Sequence, residues 1–290
     1  MPTFATPEPI SVALEIAVGD VRINASERAD TVVEVVPSNP SRDPDVAAAE
    51  QTRVDFSGGK LVVKGPKQRG HWRRIGSVDV TIELPAGSEV NASAAMGEFR
   101  GEGRLGKTRI TAASGHIRLD RTGPLRVTTA AGDITVDHVA GDVEEVATGT
   151  GELRIRAIDG GGVIKNSNGE TWIGQVRGDV RLNAANGDIT VDSALATVNA
   201  KTAHGNVRIR DVVRGSVTLE TAMGELEVGV REGTAAWLDV QSMVGNVHSG
   251  LTVGDAPDRS QDSVEIRART GFGDIRVHRS VTPADPVGKP

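Results

Sequence analysis

Short runs in which apolar and polar residues alternate recur along the chain, each led in by a glycine. Gly115-His116-Ile117-Arg118-Leu119, Gly132-Asp133-Ile134-Thr135-Val136 and Gly151-Glu152-Leu153-Arg154-Ile155 share one form. So do Gly187-Asp188-Ile189-Thr190-Val191, Gly205-Asn206-Val207-Arg208-Ile209 and Gly224-Glu225-Leu226-Glu227-Val228. Alternation of this kind predicts a strand with one face turned inward. The glycines at 97, 115, 132, 151, 169, 187, 205 and 224 follow one another at 17 to 19 residues. A short, steady period marks a solenoid in which each repeat is one coil.

A second strand falls about half a coil later, as in Leu125 and Val127, Val180 and Leu182, or Val217 and Leu219. Small residues join it to the next glycine: Thr129-Ala130-Ala131, Ala184-Ala185-Asn186, Thr202-Ala203-His204. The expected fold is all-β: a single-domain parallel β-helix of about 18 residues per coil, each strand pairing in parallel with its equivalents above and below. Crossover chirality makes it right-handed. Helical periodicity is nearly absent, so βαβ units are excluded. A left-handed hexapeptide helix fails because Ile189 and Leu195 are followed at the next step by Lys201. The nine-residue calcium repeat fails because Gly160-Gly161-Gly162 lacks the rest of its motif.

Stacking turns equivalent positions into columns. Three residues before the glycine stand Thr129, Thr148, Asn166, Thr202, Thr221, Ser242 and Thr270, able to hydrogen-bond along a corner. Just after it stand Glu98, Asp133, Glu152, Glu170, Asp188 and Glu225, and two further on Arg100, Arg118, Arg154 and Arg208. The arginines are expected to neutralise the acidic column.

Composition agrees with a narrow core. The chain has three Trp, four Phe and no Tyr in 290 residues, and a stack of Val, Ile, Leu and Ala has little room for rings. The net charge of −6, with both signs interspersed, gives no footprint for nucleic acid. Without cysteine there is neither a disulfide nor a thiolate metal site.

Residues 1–90 are read as irregular N-terminal β coils and a cap, 91–278 as the regular β-helix, and 279–290 as a disordered tail. Within the first part, Val12 to Val18, Gly19 to Ile23, Thr31 to Val36, Gly59 to Val63 and Val78 to Leu84 read as strands. Near the other end, Gly250 to Ser263 breaks a coil that Val264 to Ala268 and Gly273 to Val277 complete. The amino terminus lacks a basic segment followed by an apolar run, which places the chain in the cytoplasm.

Candidate contact residues are few. Lys67, Arg69, His71, Trp72, Arg73 and Arg74 form a basic loop around an indole, suited to phosphate, an acidic partner or a membrane surface. Trp172 takes an outward place held elsewhere by Arg or Thr, and marks either a contact surface or the seat of a neighbouring loop. Trp237, where a coil lengthens, is read as core filling. No catalytic set, cofactor site or metal site emerges: the acids sit at corners coil after coil and the six histidines are dispersed.

The Gly-Asp-Ile-Thr-Val coils, the run Val163-Ile164-Lys165-Asn166-Ser167-Asn168-Gly169-Glu170-Thr171-Trp172-Ile173-Gly174 and Asn183-Ala184-Ala185-Asn186-Gly187 resemble a bacterial β-strand-repeat family of unknown function, often labelled adhesin-like. The resemblance covers nearly the whole chain. It implies a parallel β-helix and brings no catalytic residues to carry over. The coils are also similar to those of bactofilins, cytoskeletal β-helices that polymerise end to end. The expected function is a non-enzymatic scaffold, binding an unidentified protein partner or a second copy through its coil ends. The alternatives are a binder of envelope polysaccharide or membrane surface and, further off, a carbohydrate-active enzyme.

Overall fold

The computed structural model describes residues 1–66, 76–251 and 262–280. They are almost entirely β, with one helix, Asp43–Gln51. The basic loop of residues 67–74 and the tail from 281 lie outside the described residues. Among those described, no helix is long and apolar enough to cross a membrane. The chain forms two compact units, Met1–Ile155 and Arg156–Pro290.

In the first unit one sheet runs Thr3–Ala5, Asp30–Pro37, Val78–Pro85, Val21–Ser26, Phe99–Arg104, Ile117–Thr122, Ile134–Val139 in spatial order. Its companion runs Arg53–Ser57, Lys60–Lys64, Ser11–Val18, Glu89–Met96, Thr108–Ser114, Leu125–Ala131, Val143–Thr150. The second unit repeats the plan. One sheet runs Thr171–Val176, Ile189–Ala194, Val207–Val212, Leu226–Val230, Ile275–Arg279, Val247–Ser249. The other runs Gly162–Asn168, Val180–Asn186, Val198–His204, Gly215–Met223, Ser263–Phe272, Ala235–Val244. Successive coils pair in parallel, in the all-β solenoid that the glycine period predicts.

The core lies between the sheets. In the second unit Ile164, Leu182, Ala200, Leu219 and Ala268 form a row from one sheet, and Ile173, Val191, Ile209, Val228 and Val277 a row from the other, all buried. Each large member contributes about 1.5–3 kcal/mol of burial.

The corner explains the glycine. Gly115 has φ +141°, and a Cβ there would lie 1.8 Å from the Gly97 carbonyl oxygen of the neighbouring coil. Both the backbone angle and the close approach exclude a side chain. The threonine column seals this corner: Thr148 Oγ1 donates to Gly132 O at 3.0 Å, Thr221 to Gly205 at 3.1 Å and Thr270 to Gly224 at 3.0 Å. These side chains are buried, and the carbonyl takes up each hydroxyl.

Near both termini the coils leave sequence order. The first coil, Ser11–Val18 with Val21–Ser26, sits between Lys60–Lys64 with Val78–Pro85 and Glu89–Met96 with Phe99–Arg104. The turn at Ala86 crosses the intervening rung, Ala86 N–H bonding to Ser26 O and Gly87 N–H to Arg104 O. At the other end, Ser263–Phe272 and Ile275–Arg279 do not complete the coil before them. They form a separate coil that inserts beneath Ala235–Val244 and Val247–Ser249. The inserted coil turns Val264, Ile266, Ala268, Ile275 and Val277 inward, all buried. The displaced coil offers Ala236, Leu238, Val240 and Val247, none of them fully buried. The more apolar coil takes the inner position, where burial is complete. Trp237 is therefore not core filling: it lies opposite Glu265 on the outward face of the last rung and is 58% exposed.

Candidate interaction surface

The corner column of acids is structural. Where the residue after the glycine is Asp, Asn or His, its side chain accepts the backbone N–H of its equivalent one coil away. Asp20 Oδ1 accepts from Glu98 N at 2.9 Å, Asp133 Oδ1 from Glu152 N at 2.7 Å and Asp188 Oδ1 from Asn206 N at 2.8 Å. Asn206 Oδ1 accepts from Glu225 N at 2.8 Å and His116 Nδ1 from Asp133 N at 3.3 Å. A short acceptor is what the site requires, so Asp, Asn and His interchange there. The longer glutamates pair with arginine instead: Glu98 with Arg100 at 3.3 Å, Glu152 with Arg154, Glu225 with Arg276 at 3.0 Å. Among the described residues no group of three or more His, Asp or Glu is placed to hold a metal.

Flank charges are likewise engaged. Lys107 at 2.8 Å and Arg109 at 3.0 Å hold the Glu144 carboxyl below its ordinary value. Partial burial pushes Glu227 up, but bonds from Arg208 at 2.6 Å and His278 at 3.1 Å outweigh it and leave the carboxyl lowered. Asp211, buried on Val207–Val212, accepts from Arg231 and from Ser280 Oγ at 2.8 Å, tying the end of the inserted coil to a strand two rungs away.

Trp172 stands half-buried on the outward face of Thr171–Val176, beside Thr190 in the next rung. Its ring edge reaches over Gly174, where a Cβ would meet Cη2 at 3.1 Å. The indole lies along the sheet and takes no part in the surface that stands out elsewhere.

That surface is the far end of the second unit. The position just before the corner glycine runs Asn168, Asn186, His204, Met223, Phe272, Val244 in spatial order. It is polar for three rungs and apolar for the last three. Met223 is 47% exposed, Phe272 60% and Val244 57%, with Met243 and Val247 beside them and Trp237 on the same rung. Among the described residues no strand pairs with the outer edge of Ala235–Val244 or Val247–Ser249. Sequence reasoning missed Met223, Val244 and Phe272, because they form one row only once the last coil is known to be inserted. Exposed apolar groups contiguous with an open sheet edge are the physical requirement for strand addition by another chain.

Each unit is thus a two-sheet parallel β-solenoid with corner columns filled by structural hydrogen bonds, and the second has an apolar end that no described strand covers. The chain belongs to the Toastrack DUF4097 family, whose model matches residues 10–280. No curated protein matches it. Among solved structures it is similar to a candidate cell adhesion protein from Clostridium sporogenes, with 14% identity over 96% of this chain and 98% of that one and a TM-score of 0.22. A candidate lipid binding protein from Parabacteroides distasonis matches at 11% identity over 95% of each chain, with a TM-score of 0.37. A candidate adhesin from Parabacteroides merdae matches at 14% over 95% and 94%, with a TM-score of 0.34.

Proposed function

We propose that this chain is a non-enzymatic scaffold that recruits another polypeptide through the bare end formed by Ala235–Val244 and Val247–Ser249. One observation carries the reading. A ten-residue edge strand with a single charged side chain, Asp239, lies open beside exposed Trp237, Met243, Val244 and Phe272. A long, apolar, uncharged edge is the kind that chains pair with, and proteins that avoid such pairing cover or charge their edges. The corner acids support the non-enzymatic part, since their oxygens are taken up by backbone N–H groups and arginines.

A photo-crosslinking residue at position 237, introduced in cells producing the full chain, tests this. A covalent polypeptide adduct is expected from position 237 and not from position 53 on the charged strand Arg53–Ser57, and Val240→Pro in the same chain abolishes it. Absence of any adduct from position 237 overturns the proposal.

A further inference from the structure

The open edge has a definite hydrogen-bonding pattern. The N–H of Ala235 bonds to Asp262 O on the inner neighbour. Alternation along a parallel ladder then turns the backbone groups of Trp237, Asp239 and Gln241 inward along the sheet, and leaves those of Ala236, Leu238 and Val240 facing out. A chain adding here in antiparallel sense must set its own outward-facing residues against these.

The edge is complementary to itself. Between Ala235 and Ser249 the only carboxylate or ammonium-type charge is Asp239, already held by Arg269 at 2.7 Å. A neutral, apolar strand therefore suits this end better than a charged one. A two-fold contact requires one residue to face its own copy; the outward-facing groups then meet one another whichever residue that is, so the side chains decide the centre. Centring on Leu238 puts Trp237 against Asp239 and leaves Met243 beyond the ladder. Centring on Asp239 sets two carboxylates opposite each other, and centring on Gln241 sets Asp239 against Met243 and leaves Trp237 opposite Gly245. Centring on Val240 sets Asp239 against Gln241 of the second copy, Leu238 against Ser242, and the exposed Trp237 toward Met243, a favourable sulfur–aromatic pairing. We infer that the occupant of this end is a second copy of the same chain, paired antiparallel about a two-fold axis at Val240. The inference rests on the scaffold reading above and names its partner.

Light scattering on the full chain across a concentration series gives the first readout. A mass twice the 30.3 kDa of one chain is expected at high concentration, falling to one chain on dilution. Val240→Pro removes an outward N–H without touching the ladder to the inserted coil, so it should give a monomer that still melts cooperatively. Gln241→Lys should tighten the dimer and Gln241→Asp weaken it, each by about fivefold, because either change acts twice across the two-fold.

The register is read by cysteine mixing, since the native chain has no cysteine. In this pairing residues 239 and 241 of opposite copies form a non-hydrogen-bonded pair with Cα atoms about 4.5 Å apart, within disulfide reach. The Asp239→Cys chain should oxidise onto the Gln241→Cys chain when the two are mixed, and neither onto itself. A monomer at every concentration overturns self-pairing. If position 237 then still crosslinks to a different protein, the scaffold reading stands without it, and if it crosslinks to nothing both fall. A dimer indifferent to Val240→Pro and to both Gln241 changes overturns this placement of the interface.

Discussion

The two termini solve the same problem in opposite ways. Each outermost coil is a penultimate one, with the terminal coil tucked inside it, so each presents two strands whose outer edges parallel stacking would leave open. At the amino-terminal end the chain reverses direction. Asp30–Pro37 pairs antiparallel with Val78–Pro85, and Arg53–Ser57 antiparallel with Lys60–Lys64. The helix packs against Asp30–Pro37, and Asp45, buried at its first turn, accepts Ser77 N–H at 3.0 Å. The strands left outermost are short or charged: Thr3–Ala5 has three residues, and Arg53–Ser57 carries Arg53 and Asp55. At the carboxy-terminal end the last rung runs parallel, ten residues long, with one charge. Among the described residues one edge is blunted and the other is not, which is why the proposed contact is put at the second.

The largest effect is expected from removing the cover. Val33 lies fully buried on the covering strand. Val33→Asp places a carboxylate there with no cationic partner, at a cost of about 3–5 kcal/mol. Urea unfolding should show the loss. Light scattering should show new concentration-dependent association, because Val78–Pro85 then presents an unpaired edge, although one that carries Asp79 and Glu83. A variant that loses stability yet gains no association would break the comparison.

Truncations one rung apart sharpen it. Ile266 on the inserted coil is fully buried, whereas Leu238, its neighbour in register on the last rung, is half-buried. Ile266→Ala is expected to cost about 2–5 kcal/mol. Leu238→Ala should cost less than half as much at dilutions where the chain is monomeric. Equal costs at those dilutions would mean that something in the monomer already covers the last rung.

The glycine clock made the fold legible because the corner tolerates nothing else: φ, the approach of the neighbouring carbonyl and the threonine seal all act at that position. The columns were legible for the same reason, although the acids proved to be acceptors for backbone N–H groups as much as partners of arginine. Coil order was not legible. The inward pattern Val264-x-Ile266-x-Ala268 fits any rung, and nothing in it says that Gly215–Met223 and Ala235–Val244 flank it on either side. Only the contrast in apolar content between the two coils favours the inserted one. Trp237 was read against the alternation itself: Ala236, Leu238 and Val240 take the inward parity, which turns Trp237 outward. The candidate site shares that origin: Met223, Phe272 and Val244 are distant in sequence and adjacent only after insertion. Of the candidates visible beforehand, Trp172 lies along a sheet, and residues 67–74 lie outside the described residues.

The bond that holds the inserted coil supplies a smaller effect. Ser280 Oγ and Arg231 both donate to Asp211, which is buried. Asp211→Asn keeps the size, loses the charge and turns one donor site toward the guanidinium, for an expected cost of about 1–3 kcal/mol. Hydrogen exchange should rise at Ile275–Arg279 and leave Val78–Pro85 unchanged. A rise spread over both ends would mean that the inserted coil is not the local unit this comparison makes it.

Acid provides the mildest discrimination. Glu227 sits below the ordinary glutamate value of 4.5: burial raises it, and the bonds from Arg208 and His278 outweigh that. A carboxyl lowered on folding adds stability that is fully present above its unfolded value and is lost as pH falls through its folded value. His278 lies on the inserted coil, so this contribution belongs to the carboxy-terminal end. Glu227→Gln should therefore lower the melting temperature slightly at pH 7, by the equivalent of less than about 1 kcal/mol for so exposed a cluster. As pH falls through the lowered folded-state value the wild type and variant should converge, since the wild-type carboxyl is then protonated as well. If the gap persisted undiminished down to acid unfolding, Glu227 would be acting through packing, and its ionisation would not be part of what anchors the last coil.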